Sequence, residues 1–384
     1  MILLYLNYAL FFFFAYFFMD RRNHLEYIVI CLFLTSVHFL FGYFNVLASQ
    51  EKIVDSINYY NWGTTASLKY FDFSIGTSFL VHLVNWLSVF FSNFEQMSAF
   101  FTGSTLLIFL KIFSIVYERY SNKNIKFSDY VIILFFLFLP GFHYWTVSLG
   151  KDSLMLIAIF WGFWGFYKKN LTILILSCLL MFFVRVHIFA IFILSLMVSE
   201  YIYAYFNFLR VNKKTYKFSL LSISIPFSLG MFYFLFNYIQ KYSKDGFSNI
   251  DEFLDGRAEV YADLGSGAWL SVQPYPIKVF AFVFGGVPWK SLDALTIASM
   301  VESFILFFIG GYIFFSLKRN FKYYALHDKA LTISALFFIL VSILFFSLTN
   351  NNLGVMVRMK VMIYSPLLLL TIIVLSNKYQ RTSV

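Results

Sequence analysis

Residues 330–348 read ALTISALFFILVSILFFSL, nineteen positions without a charged side chain. As a helix this run rises about 28 Å, close to the roughly 30 Å hydrocarbon core of a bilayer. It reads as a membrane span, and the rest of the chain repeats the pattern. Further spans are expected at about 1–19, 27–49, 98–117, 129–147, 153–167, 171–184, 188–207, 218–239, 294–317 and 361–376. Two shorter apolar pieces, about 77–92 and 279–290, read as re-entrant or interfacial helices. The first carries His82, Asn85 and Trp86, and the second is bounded by Pro276 and Pro288. The expected fold is an all-α polytopic membrane protein of about 11 transmembrane helices plus these two short ones. It forms a single transmembrane domain over 1–384, with outer loops at about 50–76 and 240–278.

Composition agrees. Hydrophobic residues make up 60% of the chain and charged residues only 12%, against roughly 25% charged in a soluble domain. The net charge of +10 would suggest nucleic acid in a soluble protein, but here the basic residues cluster at span ends. Cys31 and Cys178 lie inside apolar runs and read as small buried hydrophobes, so neither a disulfide nor a metal site is expected. The run 1–19 has neither a basic start nor a small-residue cleavage site and reads as a retained span.

The basic islands set the orientation. Arg119, Lys123 and Lys126 form one, Lys168 and Lys169 a second, and Arg210, Lys213, Lys214 and Lys217 the densest. Lys318, Arg319, Lys322 and Lys329 follow, then Lys378 and Arg381. All fall on one face if the spans alternate; Arg21 and Arg22 join them if 77–92 does not cross. That face is expected to be cytoplasmic, with the N-terminus outside and the C-terminus inside. The loop 240–278 then lies outside, and it is acidic, with Asp245, Asp251, Glu252, Asp255, Glu259 and Asp263.

On the outer face Lys151, Arg185, Arg358 and Lys360 run against this bias, each beside a span. One arginine at a span end is more often an anchor that snorkels to the interface. Four on the unfavoured face weigh towards a pocket for an anion, since Arg grips phosphate as a bidentate fork and Lys as a point charge. Lys151 and Asp152 equally suit a local ion pair at a helix start, and His187 an interfacial histidine. Trp145, Trp269 and Trp289 suit the interfacial belt. Glu302 lies two turns inside a span, where a carboxylate marks a functional site or pairs with a nearby cation. Asp55, Tyr59 and Tyr60 sit in the first outer loop. No phosphate-binding glycine loop, metal-ligand spacing or Ser-His-Asp arrangement is present, so no nucleotide, metal or other cofactor is expected.

The run Pro140-Gly-Phe-His-Tyr-Trp145-Thr-Val-Ser-Leu-Gly150-Lys151-Asp152-Ser-Leu resembles a signature of the Wzy-type O-antigen and capsule repeat-unit polymerases. Arg185-Val-His187 is similar to that family's Arg-Pro-His turn, with Val186 in place of Pro. The segment Pro276 to Pro288 resembles its proline-bounded segment, with Gly285-Gly286-Val287 in place of an Arg, and Asn352, Gly354, Arg358 and Lys360 resemble its closing element. The matches run in family order from about residue 55 to residue 362.

The resemblance implies a membrane glycosyltransferase of the GT-C type in the bacterial inner membrane. Its donor is a glycan on undecaprenyl pyrophosphate, attacked at the periplasmic face by a sugar hydroxyl of the next lipid-linked repeat. A chain-length regulator in the membrane is an expected partner; nucleic acid is not. Asp55, Arg185, His187 and Arg358 are the expected catalytic residues, with Asp55 as general base. Lys151, Lys360, Trp145, Tyr59, Tyr60 and Glu302 are expected around the pyrophosphate and sugars. An O-antigen ligase or other lipid-linked glycosyltransferase, or a flippase of the same lipid-linked oligosaccharide, are the competing readings. A flippase would place its charges near the midplane on repeat-related broken helices.

Overall fold

The computed structural model describes residues 1–20, 24–51, 55–65, 75–122, 125–208, 269–270, 272–285, 294–321, 324, 326–350 and 352–380. The expected span 218–239, most of the loop 240–278, and Arg21 and Arg22 lie outside the described residues. Among the described residues all regular structure is helical.

In chain order the helices are α1 (Ile2–Met19), α2 (Leu25–Glu51), α3 (Asp55–Thr65), α4 (Thr77–Leu87), α5 (Phe94–Ser121), α6 (Phe127–Leu137), α7 (Pro140–Tyr144), α8 (Lys151–Lys168), α9 (Leu171–Val184) and α10 (Val186–Phe208). After the gap come α11 (Tyr275–Phe284), α12 (Ala294–Asn320), α13 (Leu326–Thr349), α14 (Leu353–Met359) and α15 (Val361–Gln380). Among the described residues, five stretches are long and apolar enough to cross a membrane: Leu25–Gln50, Phe94–Ser121, Ser299–Asn320, Asp328–Thr349 and Leu353–Asn377.

The short pieces 77–92 and 279–290 are represented by α4, 11 residues long, and α11, 10 residues long. At 1.5 Å per residue these reach about 16 and 15 Å, half a bilayer core. The expected span 129–147 divides into α6 and α7. Pro140 lacks the N–H that would continue α6 and restricts the residue before it, so the chain breaks at Phe138–Leu139 and restarts.

Two compact units emerge, residues 1–186 with 371–384, and residues 187–370. In the first, α5 packs against α1, α2, α6 and α8. It is buried along its length, and Ser98, Thr102, Gly103 and Thr105 on it are small enough to let neighbouring helices approach closely. The outer helices show the opposite pattern. Ile2, Leu3, Phe11 and Phe14 of α1, and Leu171 and Leu176 of α9, point their apolar side chains outwards. Exposed apolar surface on this scale is what lipid would cover. In the second unit α11 packs against α12, α13 and α14, and Phe307, Phe308, Phe314 and Phe315 of α12 face outwards.

Helices α8 and α9 form a tight antiparallel hairpin. Lys169 takes a left-handed conformation (φ 56°) at the end of α8, and the Asn170 side chain caps α9 by accepting from the Ile173 N–H at 3.1 Å. The start of α8 and the end of α9 are thereby brought side by side, which places the first cluster described below.

Candidate functional site

Asp152 lies in the first turn of α8, where the helix dipole favours a negative charge. Arg185 follows the last turn of α9, where the dipole favours a positive one. The hairpin joins them: the Arg185 guanidinium donates to Asp152 Oδ1 at 2.7 Å, with the side chains only 7% and 4% exposed. Helix α10 begins at Val186, directly after Arg185, whose backbone is extended. Lys151 faces differently. Its ammonium donates to Thr77 Oγ1 at 2.7 Å and stands 6.0 Å from the centre of the Tyr59 ring, at the edge of cation–π range.

Thr77 is in place because Gly76 adopts φ +81°, a conformation costly for other residues, and donates its N–H to Phe183 O at 2.8 Å. That bond pins the start of α4 to the end of α9. Asn85 Nδ2 donates to Gly63 O at 2.7 Å and so ties α4 to α3, the helix that carries the buried Tyr59.

The turn 145–150 that leads into Lys151 is held from beneath. Thr102 Oγ1 donates to Val147 O at 2.6 Å. Ser153 Oγ donates to Ser148 O. Below them lie two fully buried histidines, His38 and His143, with their Nδ1 atoms 2.8 Å apart. His143 Nε2 is 2.9 Å from Leu137 O and so must carry a proton. His38 Nδ1 faces that ring, and its Nε2 lies 2.9 Å from Thr105 Oγ1 and 3.1 Å from Thr102 O. These contacts brace α2 and α5 against α7.

Asp55 is exposed at the start of α3. Tyr60 is half-buried and donates to Ser92 O at 3.4 Å; burial, aided by the Glu95 carboxylate, pushes its phenol above the usual range. Trp145 is half-buried, edge-on to Tyr144 at 5.0 Å.

The second unit holds a separate cluster. The Asn352 side chain caps α14, accepting from Gly354 N at 2.9 Å and Val355 N at 3.3 Å. Arg358 is half-buried in the last turn of that helix. Lys360 follows and is buried, only 2% exposed, with its ammonium donating to Ser303 Oγ at 2.5 Å. Glu302, next to Ser303 on α12 and also buried, accepts from Tyr364 Oη at 2.8 Å. Gly285, ending α11 with φ +75°, makes room for these groups: a Cβ there would lie 2.8 Å from both Lys360 Nζ and Ser303 Oγ. His187 stacks on Phe345 at 5.4 Å, with Phe346 edge-on.

The structure thus gathers Lys151, Asp152, Arg185 and Tyr59 in one unit, and Glu302 with Lys360 in the other. Lys360, expected at the outer rim against substrate, is instead buried on a serine. Thr77, His38, Ser303 and Tyr364 were not singled out from sequence. Tyr364 carried a usable signal, since it lies four residues after Lys360 and so on the same helix face. No protein-family model matches the chain, and neither a curated protein nor a solved structure is similar enough to match it.

Proposed function

We propose that this protein polymerises undecaprenyl-pyrophosphate-linked oligosaccharide repeats into O-antigen or capsular polysaccharide at the periplasmic face of the bacterial inner membrane. The topology that goes with this reading has about 11 spans in a GT-C-like arrangement, the N-terminus periplasmic and the C-terminus cytoplasmic. A membrane chain-length regulator is its expected partner. The observation that carries the reading is the pairing of Arg185 with Asp152 beside Lys151. All three fall on positions that resemble polymerase signatures, and the fold assembles them from the ends of two different helices.

The chemistry asks for little beyond placed charge. The donor's leaving group departs as an anion, so preorganised cations stabilise the transition state. Arg358, at the end of a capped helix, is the group assigned to that anion. Tyr59, Tyr60 and Trp145 supply aromatic faces for sugar rings.

Deleting the gene and resolving the surface polysaccharide on a gel tests the reading. A polymerase deletion leaves single repeat units on the lipid core, and restoring the gene restores the ladder. A core with no repeat unit at all would point to a ligase or a flippase instead and contradict the proposal.

A further inference from the structure

Two hydrogen bonds tie α12 to the start of α15 side by side, Glu302 with Tyr364 of α15 and Ser303 with Lys360, the residue just before it. Glu302 and Ser303 are sequence neighbours, while Lys360 and Tyr364 are one helical turn apart, so the four side chains meet on one seam. A buried carboxylate and a buried ammonium within apolar helices are costly to desolvate. Opposite signs on one seam offset that cost, and the missing side chain of Gly285 leaves the space the ammonium occupies. A packed apolar seam would hold the same helices together at no such cost.

From this geometry we infer that Glu302 takes the proton of the attacking sugar hydroxyl during glycan transfer, with Tyr364 and Lys360 as the residues that position its carboxylate. The inference rests on the proposed polymerase reaction. In that step the hydroxyl oxygen forms a bond to the anomeric carbon of the donor. The bond from that carbon to the pyrophosphate oxygen breaks, and its electron pair leaves on undecaprenyl pyrophosphate. The hydroxyl proton passes to a Glu302 carboxylate oxygen and is later released to water. While Glu302 is ionised, Lys360 balances it; once Glu302 is protonated, the seam carries one net positive charge as the departing group carries negative charge. Asp55, the carboxylate expected in this role from sequence, is exposed at the start of α3, whereas Glu302 is buried and oriented by Tyr364.

The test uses the full chain in liposomes with the host's lipid-linked repeat unit. Glu302→Gln preserves size and the bond from Tyr364, and is expected to lower kcat by about 10²–10⁴-fold with KM unchanged. The double variant Glu302→Gln with Lys360→Met removes both charges together, so it folds even if the single change does not; it is expected to stay inactive. A hydrophobic carbodiimide, which modifies protonated carboxyls in apolar surroundings, should label Glu302 in the wild-type protein at acid pH without any substrate. Wild-type turnover in Glu302→Gln, recovery of turnover in the double variant, or absence of label at Glu302 would each overturn the assignment. If Glu302 is labelled but wild-type protein does not extend the lipid-linked repeat, the polymerase reading has failed and the protonatable carboxylate stands.

Discussion

Asp152→Ala is expected to destabilise the protein by about 3–5 kcal/mol, the cost of stranding one member of a buried ion pair. The basis is the 2.7 Å contact between Arg185 and Asp152, both almost fully enclosed. Removing the carboxylate leaves a guanidinium without its counter-charge where water cannot reach it. Thermal unfolding in detergent micelles should show a clear loss of midpoint. The exchanged pair, Asp152→Arg with Arg185→Asp, should recover part of the loss. Recovery is incomplete because the guanidinium then sits at the positive, N-terminal end of the α8 dipole. Unfolding of Asp152→Ala at the wild-type midpoint would mean that the pair contributes nothing to the hairpin.

Arg358→Ala is expected to abolish chains longer than one repeat while protein level and membrane insertion stay normal. Arg358 is half-buried at the end of α14, a helix capped by Asn352 and followed by Lys360 bonded to Ser303, and the proposed reaction assigns it to the leaving pyrophosphate. Its loss should therefore fall on the reaction. Arg358→Lys should restore short ladders only, since an ammonium keeps the charge but loses the bidentate fork. A polysaccharide gel alongside an immunoblot reads both quantities. A normal ladder from Arg358→Ala would return this residue to the role of an interfacial anchor.

Much of the architecture was legible because a bilayer imposes a coarse rule on sequence. Runs such as 330–348 and 98–117 must be helical, since lipid offers backbone groups no partner. The break at Phe138–Leu139, just before Pro140, is absent from the expected span 129–147, because hydropathy does not register a missing N–H. The short elements α4 and α11 were recognised as exceptions from their polar and proline residues. Arg185 and Lys151 stood out because a cation on the unfavoured face needs a reason.

What each cation touches was less accessible. The partner of Arg185 lies 33 residues away and becomes its neighbour only through the α8–α9 hairpin. Lys360 looked like a rim residue because it begins an apolar run. Its burial depends on Gly285 and Ser303, which are remote in sequence and unremarkable by type. The histidine pair escaped notice for a similar reason: His38 reads as one polar residue in an apolar helix until α7 brings His143 to it.

Purified protein in liposomes given only undecaprenyl-pyrophosphate-linked repeat units tests the polymerase reading. A ladder of lipid-linked products is expected, each one repeat longer than the last. Undecaprenyl pyrophosphate is released in equal number to the linkages formed, and no nucleotide sugar is needed. Substrate recovered unextended, whether left in place or carried across the bilayer, would contradict it.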